Sequence, residues 1–274
     1  MPDSSTPRTA LTIAGSDSGG GAGVQADLKT FAAHRVHGTS ALTAVTAQNT
    51  CEVRGVVAMP PDFVRLQVET VLADFDVTGV KTGMLANAAI VTEVAKLAAA
   101  SALPSLVVDP VLVSSTGHAL LEPDGLAAYL ELLLPHALVA TPNLREAAVL
   151  AGVHVEDVGT VEAMAEVAEG LRRRTGARHV VVKGGHRTGP ADDVVAGPAG
   201  VTVLPGARVA TDNDHGTGCS LSAAVAANLA RGLGVDDAIG AAKVFVAEAL
   251  AGGAGWRLGA GHGPVDHFGW SGAP

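Results

Sequence analysis

Ala10-Leu11-Thr12-Ile13-Ala14-Gly15-Ser16-Asp17-Ser18-Gly19-Gly20-Gly21-Ala22-Gly23-Val24 decides how this chain is to be read. A short apolar run feeds a glycine-rich turn, and apolar residues then recur in helical spacing at Val24, Leu28 and Phe31. Strand, loop and helix in that order open a βαβ unit, and glycine in the loop lets backbone approach a ligand closely. A dinucleotide fingerprint is the less favoured reading. Gly-x-Gly-x-x-Gly arises by chance in so glycine-rich a run, and no acid closes a clear second strand.

The alternation continues downstream. Gly38 to Thr50 reads as a strand ending in Gln48 and Asn49, whose amides can match a heterocycle's edge, although on these residues alone an ordinary turn is the favoured reading. Pro60 to Leu72 is an amphipathic helix with proline at its start. A short strand over Gly79 to Lys81 ends in Thr82-Gly83-Met84, and a helix follows over Ala88 to Ala100. Leu106-Val107-Val108-Asp109-Pro110 is a continuously apolar, parallel-type strand with an acid at its end. Helices over Gly125 to Leu134 and Val161 to Arg174, and strands over Ala137 to Ala140 and His179 to Val182, extend the pattern. Asp193 to Ala196 and Val201 to Leu204 form a hairpin, and helices over Leu221 to Ala230 and Asp236 to Ala251 close the chain. Alternating strands and helices predict a three-layer α/β/α sandwich around a mostly parallel sheet. The expected organisation is one domain, residues 10–274, behind a mobile tail, residues 1–9.

Bulk properties narrow the class. The 274 residues are 48% hydrophobic but only 3% aromatic, so the core must be built from Ala, Val and Leu. A net charge of −9 lacks the basic surface that nucleic acid or an anionic membrane requires. Cys51 and Cys219 make neither a disulfide framework nor a zinc site. No apolar run is long enough to span a membrane and Met1 to Thr9 is polar, so a cytoplasmic protein is expected.

His215-Gly216-Thr217-Gly218-Cys219 stands immediately before the apolar helix. Two glycines around a hydroxyl residue at a helix start gather backbone N–H groups where negative charge is stabilised, an oxyanion or phosphate cradle. It is neither a Walker A loop nor a nucleophile elbow. Cys219 is, on these five residues, equally a small buried filler. Asp109, Glu146 and Lys183 also follow apolar strands, at the edge of an open α/β sheet where ligands bind. Together with the Gly15 to Gly23 loop and the cradle they look like a phosphoryl-transfer site with Mg²⁺, which is typically held by few carboxylates plus substrate phosphates.

Seven separated motifs, in order, resemble the hydroxymethylpyrimidine/phosphomethylpyrimidine kinase family of the ribokinase superfamily: Gly15 to Thr30, Ala47-Gln48-Asn49-Thr50, Thr82-Gly83-Met84-Leu85, Val108-Asp109-Pro110-Val111, Thr141 to Ala147, Val182 to His186 and His215 to Cys219. The resemblance runs from about Ala10 to His267. It implies a ribokinase-like kinase of thiamin biosynthesis that phosphorylates 4-amino-5-hydroxymethyl-2-methylpyrimidine and then its monophosphate, using ATP and Mg²⁺. By the resemblance, Gln48 pairs with the pyrimidine edge, Met84 packs on the ring, Gly15 and Ala22 line the pocket and Asp27 lies at its polar end. Asp109 and Glu146 organise Mg²⁺, while Lys183, Asn143 and Thr217 contact ATP. Gly216, Thr217 and Gly218 form the anion hole, with Cys219 as base. Relatives also suggest a homodimer. The pattern is broken at Asp214, where Thr is expected, and mildly at Ser220.

Three other readings are open at this level. They are a pyridoxal or pyridoxine kinase, a thiol hydrolase using Cys219 with His215, and a pyrimidine-binding regulator without catalysis.

Overall fold

Strand periodicity builds this molecule in three layers, as a computed structural model of residues 6–112 and 124–272 describes it. In chain order the elements are β1 (Thr9–Ser16), α1 (Gly23–Ala33), β2 (His37–Gln48), β3 (Val53–Ala58), α2 (Pro61–Asp74), β4 (Val77–Thr82), α3 (Ala88–Ala99), β5 (Leu106–Val108), α4 (Gly125–Ala128), β6 (Val139–Ala140), α5 (Leu144–Ala151), α6 (Val161–Thr175), β7 (His179–Val182), β8 (Asp193–Gly197), β9 (Gly200–Leu204), α7 (Thr217–Ala230) and α8 (Val235–Gly253). Of the expected tail, residues 1–5 lie outside the described residues. Its end is already structured, since Thr9 belongs to β1 and His37 N–H donates to the Arg8 carbonyl.

The nine strands form one sheet in the order β3-β2-β1-β4-β5-β6-β7-β8-β9. Pairing is parallel from β2 through β1 to β7 and antiparallel at both ends, β2 with β3 and β7 with β8 and β9. Side chains on a strand alternate between faces, and here neighbours divide between two apolar clusters. Leu11, Val108, Ala140, Val182 and Val194 pack with residues of α2, α3, α5 and α6. Ala10, Val107, Val139, Val181 and Val195 pack with α7 and α8. Each central strand therefore buries both faces, which is why these strands read as unbroken apolar runs.

Two features place the site. The α7 helix is buried from Ser220 to Ala230, and it lies close on the sheet because a Cβ at Gly79 would fall 2.6 Å from the Ala226 carbonyl oxygen. Its N-terminus is thereby fixed against the carboxyl ends of the central strands. The β3 strand was not legible in the sequence, since five of its six residues are exposed and no buried face imposes an alternation. The helix expected over Gly125 to Leu134 is regular only at its start and becomes a π-helical turn at Tyr129–Leu133.

Candidate active site

The carboxyl ends of the parallel strands open into a cavity of about 390 Å³. Gly15, Gln48 and Met84 line it on the β2 side, Lys183, His186 and Arg208 on the β8 side, and Gly216 to Cys219 between them. Sequence-distant candidates are thus gathered at one site, as the switch-point rule anticipates.

On the β2 side, Gly15 and Met84 fit each other. A Cβ on Gly15 would lie 2.5 Å from Met84 Cε, so only glycine leaves the thioether in place. Gln48 is half-buried, accepts from Thr46 Oγ1 at 3.2 Å and has its Nε2 3.4 Å from His215 Nε2. His215 Nε2 in turn lies 2.9 Å from Asp17 Oδ2. The Asp17 carboxylate also accepts the N–H groups of Gly19, Gly21 and Ala22 at 2.8, 3.0 and 2.8 Å. Burial works to raise its pKa, but the hydrogen bonds from His215 and these amides hold it below the usual carboxylate value. Asp17 is therefore the post that shapes the glycine loop, a role its sequence context did not reveal.

Asp27 departs from expectation. It is fully buried and absent from the cavity wall; its oxygens lie 2.7 and 2.8 Å from Lys81 Nζ, and Thr12 Oγ1 donates to it at 2.6 Å. A carboxylate on the inner face of α1 meets the sheet rather than the cavity. Lys81, in the middle of an apolar strand, is the residue that reaches the wall.

The cradle is built as its composition predicts. Gly216 caps α7 at φ +85°, where a Cβ would fall 1.8 Å from the Gly21 carbonyl oxygen, and no side chain caps the helix. In a first turn the N–H groups of Gly218 and Cys219 have no carbonyl one turn back to meet. The Thr217 hydroxyl donates to the Asp214 carbonyl at 2.6 Å and tightens the turn. Ser220, the mild departure from pattern, has its hydroxyl 2.9 Å from His267 Nε2. Burial pushes the Cys219 thiol up to about 11 against the lowering effects of Lys81 and the Gly23 backbone.

Asp109, Lys183 and Glu146 form the polar floor. Lys183 Nζ lies 2.9 Å from Asp109 Oδ1, Thr141 Oγ1 donates to the same oxygen at 3.1 Å, and Ser222 Oγ donates to Oδ2 at 3.1 Å. Asn143 and Glu146 are each other's caps at the start of α5. Asn143 Oδ1 accepts the Glu146 N–H at 3.0 Å, and Glu146 Oε2 accepts the Asn143 N–H at 2.7 Å. Burial first, and Asp109 beside it, push Glu146 up to about 7 despite Lys183.

Several lining residues were missed. Arg208, Val209, Val246, Ala247 and Leu250 wall the β8 side, and neither an apolar helix face nor a lone arginine in a loop announces a ligand. Asp214 stands at the rim with its side chain 46% exposed and Oδ1 2.8 Å from His262 Nδ1. The C-terminal segment clamps this region, with His215 N–H on the Gly263 carbonyl and His262 N–H on the Thr50 carbonyl, each at 3.1 Å.

Comparison with known proteins agrees with this geometry. The family model described as phosphomethylpyrimidine kinase matches residues 17–266. A hydroxymethylpyrimidine/phosphomethylpyrimidine kinase of Rhizobium meliloti (strain 1021) is 47% identical over 260 residues, covering 94% of this chain and 96% of that protein. A phosphomethylpyrimidine kinase structure from Clostridium difficile 630 superposes with a TM-score of 0.78 at 36% identity, covering 89% of this chain and 99% of that one. The pyridoxal kinase of Staphylococcus aureus, in complex with AMP-PCP and pyridoxal, superposes with a TM-score of 0.86 at 35% identity, covering 97% of this chain and 95% of that one. With its three-layer fold, its glycine cradle and these matches over nearly its whole length, the chain belongs to the phosphomethylpyrimidine kinase family.

Proposed function

We propose that this protein transfers a phosphoryl group from ATP to the hydroxymethyl group of 4-amino-5-hydroxymethyl-2-methylpyrimidine, and then phosphorylates the monophosphate, as a step of thiamin biosynthesis. The observation that carries this reading is the meeting, at one helix N-terminus, of an amide-and-thioether end (Gln48, Met84) with a cationic end (Lys183, Arg208). The first end suits a flat heterocycle with donors and acceptors; the second suits phosphates.

The donor set fits Mg²⁺. Asp109 and Glu146 offer only oxygen, and the burial and the neighbouring Asp109 charge that raise Glu146 would both be offset by a cation held by these carboxylates. Among the described residues no cluster of three or more His, Cys, Asp or Glu could hold a metal, so this cation would depend on phosphate oxygens as well. When bound, Mg²⁺ neutralises charge on the transferring phosphoryl group. Lys183 adds fixed charge beside Asp109, and the Gly218 and Cys219 N–H groups receive the phosphoryl oxygens. Cys219 takes the proton of the attacking hydroxyl as its oxygen bonds phosphorus and the bond to the ADP oxygen breaks. Because burial pushes its thiol up to about 11, that role depends on positive charge near the sulfur.

In the same reading the chain is one kinase domain from residue 10 onward, a cytoplasmic homodimer with no nucleic-acid or membrane partner. No helix among the described residues is long and apolar enough to cross a membrane. The exposed Val45, Val56 and Val57 of the β2–β3 hairpin offer a face for a second copy. The deciding experiment incubates the protein with MgATP and the pyrimidine alcohol and resolves mono- from diphosphate by mass. Both esters are expected, and ATP hydrolysis alone would overturn the proposal. A pyridoxal kinase is the second reading, favoured by the TM-score of 0.86 with the pyridoxal complex. Faster turnover of pyridoxal than of the pyrimidine would establish it.

A further inference from the structure

Lys81 is fully buried in a central strand, a costly place for a charge. Strand alternation explains its direction. Val80 packs with the α2 to α6 layer, and Gly79 lies beneath Ala226 and Ala230 of α7, so Lys81 shares the α7-facing side. There Asp27 of α1 receives it with both oxygens at 2.7 and 2.8 Å, and Thr12 of β1 fixes Asp27. The pair is closed to water, yet Lys81 lines the same cavity as Cys219. Two of three ammonium hydrogens are committed to Asp27. Stability alone does not account for such a pair, because apolar residues of similar volume often serve as well.

Resting on the reading of Cys219 as proton acceptor, we propose that Lys81 is a positioning residue for phosphoryl transfer, its Asp27-anchored ammonium holding positive charge in the cavity that Cys219 shares and so lowering the cost of forming the thiolate that receives the hydroxyl proton. The thiol first gives its proton to water; in the step itself the substrate O–H bond breaks and a new S–H bond forms while the substrate oxygen bonds phosphorus and the bond to the ADP oxygen breaks, with no change of oxidation state. The charged groups that act on the sulfur are Lys81 of β4, Asp27 of α1, Asp109 after β5 and Lys183 after β7. After burial, which raises the thiol pKa most, Lys81 is the largest influence and lowers it; Asp27 and Asp109 raise it.

The test measures alkylation of Cys219 between pH 8 and 9.5, in a Cys51→Ser background, by iodoacetamide and separately by N-ethylmaleimide. Because Lys81→Met alone would strand a buried carboxylate, the deciding variant is Asp27→Asn with Lys81→Met, and Asp27→Leu with Lys81→Met is the second neutral pair. Folding is checked by circular dichroism and Tm. The inference expects both reagents to slow by about 10-fold, the equivalent of one pKa unit. It also expects kcat to fall in parallel with its alkaline limb displaced upward, while KM for pyrimidine and ATP stays within about twofold. Unchanged alkylation in a folded variant overturns the inference, as does slowing with one reagent only, or slowed alkylation with normal kcat. Near-normal kcat in Cys219→Ala instead overturns the base role itself and leaves the alkylation result standing.

Discussion

Replacing Gly15 by alanine isolates the ring-binding end of the cavity. Gly15 has no positive φ, so the substitution adds no backbone strain, and its whole effect comes through one contact. The new Cβ would lie 2.5 Å from Met84 Cε and 3.6 Å from Sδ. Carbon atoms settle near 3.5–4.0 Å, so the thioether tip must move by roughly 1 Å or more. Methionine is flexible enough to do so, at about 0.5–1.5 kcal/mol for a strained rotamer. Leu85 and Ala14 behind it are fully buried, so the open direction is the cavity, where the methyl takes space from the pyrimidine. A combined loss of about 1–2 kcal/mol corresponds to a 5–30-fold rise in pyrimidine KM. Steady-state kinetics with each substrate varied in turn should show that rise with ATP KM unchanged and Tm little altered. Adding Met84→Ala removes the collision, so the double variant should bind pyrimidine better than additivity allows, with a coupling of about 0.5–3 kcal/mol. An unchanged pyrimidine KM in folded Gly15→Ala, or strict additivity in the double variant, would refute the reasoning.

Three further outcomes are expected. Cys219→Ala should lower kcat on the order of 10²-fold with KM nearly constant, as when a general base is lost, and Cys219→Ser should restore little; rapid-quench single turnovers check that chemistry is the slowed step. Gln48→Ala should raise pyrimidine KM by the equivalent of about 1–3 kcal/mol without touching ATP KM, and a selective effect on ATP would show that the two ends of the cavity are interchanged. Asp214→Thr should lower ATP KM only modestly and less at high salt. A phosphate 4 Å away would be repelled by about 4 kcal/mol at an effective dielectric of 20, but the half-exposed carboxylate beside His262 is screened toward surface values. A raised Mg²⁺ requirement in that variant would instead make Asp214 part of a cation site.

What the sequence by itself determined is local. A glycine loop between an apolar strand and a helix, acids and a lysine at strand ends, and two glycines before an apolar helix declare an α/β/α kinase with a phosphate cradle. Backbone geometry and side-chain periodicity depend only on near neighbours, and those patterns stand in the chain as written. Tertiary structure alone decided the rest, because it turns on desolvation and on contacts between residues far apart. Asp27 was expected at the pocket and lies behind it, bound to Lys81 across 54 positions. Asp17 organises the glycine loop through His215, 198 positions away. The strand β3 has no buried face to pattern it. The protonation of Cys219, which its neighbours in sequence do not fix, is set by burial, which pushes the thiol up to about 11. A one-dimensional reading places charges in order along the chain; only packing says which of them face one another and how little water lies between them.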